Sequence, residues 1–173
     1  MFFTGFKGKS NQIFLKKQLP RLLENCHESS SGKVQNALIF LDDISKKEVI
    51  ESCLKKILEL SGCKIELMIF QKKRNKNNNV EGFYTPQDFG WNGIIKSAQL
   101  NEILTNKYDL LINYSKVENI YTNLLILQCK VAFRVGFAHF DKRFYDLLIN
   151  CDTSEIELFT NEMKKYLAIL NKI

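Results

Sequence analysis

The sequence predicts an α/β fold, a three-layer Rossmann-like sandwich whose mainly parallel sheet has about five strands, preceded by a basic helical N-terminal arm. Two observations favour this fold. Apolar runs of strand length alternate with amphipathic stretches, an order typical of parallel sheets with right-handed helical crossovers. The 173 residues are also 45% hydrophobic and 25% charged, a composition that supports one domain with a substantial core.

Residues 1–33 are predicted to form the arm. Leucines at a helical spacing indicate a helix from Ser10 to His27, which Pro20 is expected to kink or divide. The polar stretch 28–33, rich in serine and ending with Gly32-Lys33, is typical of a linker. We therefore predict a single α/β domain over residues 34–173.

Within that domain, strands and helices are predicted to alternate. The continuous apolar run NALIFL is typical of a strand buried on both faces. Strands are predicted at 36–41, 64–70, 108–113, 131–137 and 144–149. Helices are predicted at 45–60, 97–105, 120–129 and 154–170.

The positive charge is concentrated in two segments. Residues 1–23 carry +5 and no acid, and residues 72–76 (KKRNK) carry +4, so the rest of the chain carries −3 of the net +6. Cations on segments outside the core can neutralise RNA phosphates, and neighbouring aromatic rings can stack on unpaired bases. The predicted RNA-binding residues are Lys7, Lys9, Lys16, Lys17, Arg21, Lys72, Lys73, Arg74, Lys76, Phe2, Phe3 and Phe6.

These segments lead to the first functional hypothesis, a non-enzymatic protein that binds structured RNA, ribosomal RNA being the most natural partner. A charge run can equally serve as a solvated face that aids solubility. A membrane surface would also attract such an arm, but its apolar part is short, and no apolar stretch reaches the roughly 18 residues of a membrane span. We therefore expect no membrane partner.

A second hypothesis places a small-molecule or enzymatic site at the strand ends, for a nucleotide or a sugar. Ligands of α/β sheets bind at the carboxyl ends of the strands. The candidate residues there are Asp42, Asp43, Ser115, His139 and Asp141. Neither GxGxxG nor GxxxxGK[ST] occurs, so no cofactor is predicted, and no motif names a reaction.

A third hypothesis is a protein-protein adaptor that docks through Trp91 in the aromatic segment Tyr84–Gly93. The five cysteines are odd in number and widely spaced, which disfavours both a disulfide framework and a zinc site. Free thiols in apolar runs behave as small hydrophobic side chains. We predict buried structural cysteines, no metal and a cytoplasmic location.

Three segments resemble a known family: YDLLINYS at 108–115, LLIL at 124–127 and VAFRVGF at 131–137. They resemble the N-terminal Rossmann-like domain of heptosyltransferase-type glycosyltransferases, and this resemblance implies the same fold class. Asn113 stands where that family usually has aspartate, and the family's donor-binding second domain has no counterpart in these residues, so we expect no sugar transfer. The whole chain also resembles a conserved protein of Bacteroidota bacteria, which implies no activity.

Overall fold

The computed structural model describes residues 3–25, 32–58, 63–73 and 82–173. A six-stranded sheet forms its centre, with every pairing parallel and the strand order β3-β2-β1-β5-β7-β8. The strands are β1 (Asn36–Leu41), β2 (Lys64–Phe70), β3 (Phe83–Tyr84), β5 (Leu110–Tyr114), β7 (Arg134–Phe137) and β8 (Leu147–Ile149). Two further short strands, β4 (Lys107–Tyr108) and β6 (Lys130–Val131), pair with each other.

Helices cover both faces of the sheet and complete the three layers. They are α1 (Phe3–Asn25), α2 (Lys47–Leu58), α3 (Ala98–Thr105), α4 (Ile120–Gln128) and α5 (Ile156–Ile169). Helix α1 packs against α4, and α2 packs against α5. The Tyr84 hydroxyl is 2.7 Å from the Thr122 hydroxyl of α4, whereas the Tyr114 ring packs edge-on against Phe159 of α5. These contacts place the two helix pairs on opposite faces of the sheet.

The predicted fold class is confirmed, with six strands in the main sheet where the sequence predicted about five. Strands β1 and β2 begin and end at the predicted residues. Asn119 and Ser97 cap α4 and α3 by accepting backbone N–H groups of the first turn. The unpredicted strand is β3, which has only two residues.

Helix α1 differs most from its prediction. It begins at Phe3 rather than at Ser10, and it runs through Pro20 without being divided. Pro20 lies on the exposed face, while leucines on either side pack against the core. The sequence predicted an arm, and the structure shows that this helix is docked on the α/β body: Asn11 is fully buried and Leu15 is 8% exposed.

The described cysteines are free thiols, and of these only Cys129 is buried. Burial raises the pKa of Cys129 to about 12 and, together with nearby Asp109, that of Cys63 to about 11. Both thiols are therefore protonated and poorly nucleophilic at neutral pH. Cys53, Cys63 and Cys151 are half-buried rather than fully buried, and Cys26 lies outside the described residues.

The described residues contain neither a metal-ligand cluster nor a helix able to span a membrane. No group of three or more His, Cys, Asp or Glu side chains is arranged to hold a metal ion within the described ranges. Of the helices in this part of the chain, none combines the length and the apolar character that crossing a bilayer requires.

Candidate functional site

The exposed face of α1 carries most of the N-terminal positive charge. At 100° per residue, Phe6, Lys9, Ile13, Lys16, Lys17 and Arg21 fall within one arc of roughly 140°. All six are exposed. The opposite arc contains the buried Asn11 and Leu15. From residue 6 to residue 21 the helix therefore presents a surface of cations and apolar groups about 22 Å long, which we call the basic stripe. The exposed Glu24 follows it on the same face.

An aromatic patch, formed by Phe6 and Trp91, overlaps the N-terminal end of the basic stripe. Phe6 (61% exposed), Ile13 (54%) and Trp91 (47%) line an open groove of about 580 Å³ together with Lys9, Ser10 and Asn92. Ile94, 61% exposed, lies in the same turn as Trp91. Monomeric proteins rarely expose several large apolar side chains next to one another unless a partner covers them.

The turn that carries Trp91 is held in place by α1. The Asn11 amide donates to the Gly90 carbonyl (3.2 Å) and its oxygen accepts the Gly93 N–H (2.9 Å). The Ser10 hydroxyl donates to the Asn92 side chain at 2.9 Å. Gly93 has a φ of +72°, and its α-carbon faces the Phe14 ring so closely that a Cβ would lie 2.7 Å from Phe14 Cδ1. Docking of α1 thus fixes Trp91 beside Phe6.

Lys7 contributes to this docking. Its ammonium donates to the carbonyl oxygens of Pro86 and Phe89, both at 2.8 Å. Desolvation lowers the pKa of Lys7, and the nearby charge of Lys96 lowers it further. These acceptors lie 79 and 82 residues away in the chain, and the predicted contact of Lys7 with RNA stays a prediction.

The second basic segment begins at the same corner of the sheet. Lys72 and Lys73 follow β2 and are exposed, and the preceding Gln71 N–H donates to the Tyr84 carbonyl at 2.9 Å. Tyr84 ends β3 and leads directly into the segment on which α1 docks. Lys7 of the first basic segment and Lys72 and Lys73 of the second therefore lie near the carboxyl ends of β2 and β3. Phe2, Arg74, Lys76 and the side chain of Phe3 lie outside the described residues.

Of the predicted strand-end residues, the structure brings Asp42 and Asp43 into one cavity. This cavity of about 570 Å³, which we call the crevice, lies outside the carboxyl ends of β1, β2 and β5. Asp42 accepts the backbone N–H groups of Lys116 (2.8 Å) and Val117 (3.1 Å). Asp43 accepts the backbone N–H and the hydroxyl of Ser45, and these hydrogen bonds lower its pKa. Both carboxylates thus order the loops of the crevice.

The other three strand-end residues do not line the crevice. Ser115 is buried at the end of β5. His139 follows β7, is exposed and stacks on Phe137 with ring centroids 5.6 Å apart. Asp141 forms a bidentate ion pair with Arg143, which lowers the pKa of Asp141.

The structure adds crevice residues that the sequence did not single out. Lys46, Tyr114, Lys116 and Thr153 line it together with Lys72 and Lys73. Lys46 and Lys116 both follow predicted strand ends closely, so this signal was present in the sequence. Nothing in the sequence indicates the hydrogen bond from Lys46 to the Thr153 carbonyl, since the two residues are 107 positions apart.

Comparison with protein families matches residues 7–170 to DUF6913, a family of unknown function. The chain belongs to this family. The match spans both α1 and the α/β body, so the docked helix is part of the family pattern. Comparison with curated proteins and with solved structures gave no match.

Proposed function

We propose that this DUF6913 protein is a non-enzymatic RNA-binding protein that associates with structured RNA, in the cytoplasm and most naturally on the ribosome. The observation that carries the proposal is the arrangement along α1, where the basic stripe ends in the aromatic patch of Phe6 and Trp91. Lysines on a rigid helix can follow a phosphate backbone, and exposed rings beside them can stack on unpaired bases.

The rigidity of the surface supports this proposal. A flexible basic tail would lose conformational entropy on binding, whereas α1 is already held by the buried Asn11 and by Lys7. Lys72 and Lys73 extend the positive charge to the neighbouring strand end. The α2 and α5 layer on the opposite face of the sheet provides exposed lysines for comparison, including Lys55, Lys56 and Lys164.

Trp91 gives a direct test, because it is the single tryptophan of the chain and is 47% exposed. We expect its fluorescence to be quenched when the protein is titrated with an RNA hairpin that has an unpaired loop, since a base that stacks on the indole quenches its emission. A fully paired duplex of the same length is expected to quench much less. Emission that stays unchanged while the hairpin binds would place the RNA elsewhere and contradict the proposed role of the patch.

Substitution of Phe6 by Ala should weaken hairpin binding by roughly 5- to 100-fold, corresponding to the loss of one stacked base. The matched control is Ile169→Ala, which removes a similarly exposed apolar side chain (65% exposed) from α5. If the patch instead binds a protein, the complex should persist at high salt and RNA should have no effect on Trp91.

A further inference from the structure

The crevice is at the topological switch point of the sheet. From β1 the chain proceeds to β2 and β3 on one side and returns to β5, β7 and β8 on the other side. Adjacent loops at β1 and β5 therefore diverge and leave an opening, the place where open α/β sheets bind ligands. Its volume of about 570 Å³ suits a ligand of mononucleotide size.

The charge of the crevice favours an anion. Four lysines line it, against the two carboxylates of Asp42 and Asp43, whose oxygens already accept backbone or hydroxyl hydrogen bonds. Lys46 is held at the wall, since its ammonium donates to the Thr153 carbonyl at 2.7 Å and lies 6.0 Å from the centre of the Tyr114 ring. An ammonium has three N–H donors, so the Thr153 bond leaves two for a ligand.

Side chains already accept backbone N–H groups at three turns around the crevice. Asp43 caps the 3₁₀ turn at Ile44–Lys46, Asn119 caps α4, and the Asp152 side chain accepts the Ser154 N–H just before α5. The turn at Ile44–Lys46 and the first turn of α4 are thus capped by the chain itself, whereas α5 has no side-chain cap hydrogen bond and only Thr153 near its start lines the crevice. The cationic groups that line the crevice and can hold a phosphate are its lysine side chains. Apolar groups are available for the rest of the ligand on Ile69, Phe70 and Val117.

From this geometry we infer that the crevice binds a phosphate monoester of mononucleotide size, with its phosphate between Lys46 and Lys116 and its apolar or planar part against Phe70 and Val117. The phosphate contacts, Lys46 and Lys116, belong to neither the basic stripe nor the aromatic patch, whereas Lys72 and Lys73 line the crevice and also belong to the second basic segment. The inference requires no catalytic group in the crevice, because it concerns binding alone.

The experiment is a titration of the full chain with AMP, followed by amide chemical shifts in NMR and by calorimetry. We expect saturable shifts at the crevice backbone, in particular at Lys116 and Val117. Ribose 5-phosphate should bind more weakly and adenosine hardly at all. Shifts caused equally by adenosine would show recognition of the base without the phosphate, and the absence of crevice shifts with both phosphate esters would also overturn the inference.

Two variants test the assignment of the phosphate. Lys116→Gln should weaken AMP binding about tenfold, because it removes one charge-assisted contact from an exposed side chain without a packing role. Lys46→Met should weaken AMP binding to a similar degree. If loss of the Thr153 contact destabilises this variant, Lys116→Gln alone tests the position of the phosphate. Lys56→Gln on α2 is the matched control and should leave AMP affinity unchanged. Equal affinity in all three variants would contradict the inference.

Discussion

Replacing Lys9, Lys16 and Lys17 together by glutamine is expected to reduce RNA affinity about 100-fold at roughly 0.1 M KCl. Each lysine that neutralises a phosphate of single-stranded RNA contributes about 0.7 to the slope of log affinity against log salt, so three lysines account for a slope of about 2. All three side chains are exposed on the basic stripe, and nothing in the packing of α1 depends on their charge. The fold should therefore be unaffected.

The matched control is the triple variant Lys55→Gln, Lys56→Gln and Lys164→Gln. These lysines are equally exposed and the variant loses the same three charges, but they lie in the α2 and α5 layer. Because screening limits long-range effects to about 10 Å at this salt concentration, we expect a loss of less than about threefold. Filter binding or fluorescence anisotropy with one RNA hairpin measures both variants. Equal losses would show that net charge, not the basic stripe, determines affinity.

Gly93→Ala is expected to lower the free energy of unfolding by about 2–4 kcal/mol, from left-handed backbone strain and from overlap with the Phe14 ring. Gly93 has a φ of +72°, and an added Cβ would meet Phe14, a residue of α1 that packs against the core. Either the turn or α1 must shift. Because the same contact positions Trp91 beside Phe6, RNA affinity should fall as well.

The control for this variant is Gly5→Ala in α1, where an added Cβ meets nothing within 4 Å. Since alanine favours helix over glycine by up to about 1 kcal/mol, this variant should be neutral or slightly more stable. Urea unfolding followed by circular dichroism compares the two. A Gly93→Ala protein that unfolds at the wild-type urea concentration would mean that α1 does not dock on this turn.

The fold was largely predictable because its central strands are long apolar runs. Strand β1 is an almost continuous apolar run, the pattern typical of a parallel sheet covered on both faces. Strand β2 (KIELMIF) is mainly apolar but includes Lys64 and Glu66 in its first half. Strand β3 has only two residues, too few to show such a pattern. It forms a strand because it pairs with Ile69 and Phe70 of β2.

The start of α1 was not predictable for a related reason. Gly5 and Gly8 have poor helix propensity, so local preference indicated a later start at Ser10. Contacts from α1 to residues about 80 positions away compensate: Lys7 and Asn11 donate to backbone carbonyl groups between Pro86 and Gly90, and the Asn11 oxygen accepts the Gly93 N–H. Tertiary hydrogen bonds of this range leave no periodic signal in the sequence.

The candidate site was predictable in charge but not in geometry. Lys9, Lys16 and Lys17 could be identified because residues 1–23 contain no acid. That they share one face of α1 follows only from the observed bounds of the helix. Trp91 was assigned to a separate protein-docking hypothesis, because nothing in the sequence places it beside Phe6. The groove lined by Phe6 and Trp91 joins residues from two predicted sites into one surface.

The most direct test of RNA binding through this surface is the salt dependence of hairpin affinity for the wild-type protein, measured between about 0.05 and 0.5 M KCl. We expect log affinity to fall linearly with log salt with a slope of about −2 or steeper. Trp91 quenching should disappear over the same range. A protein that does not bind the hairpin at the lowest salt concentration, or binds it with no salt dependence, would contradict the proposed function.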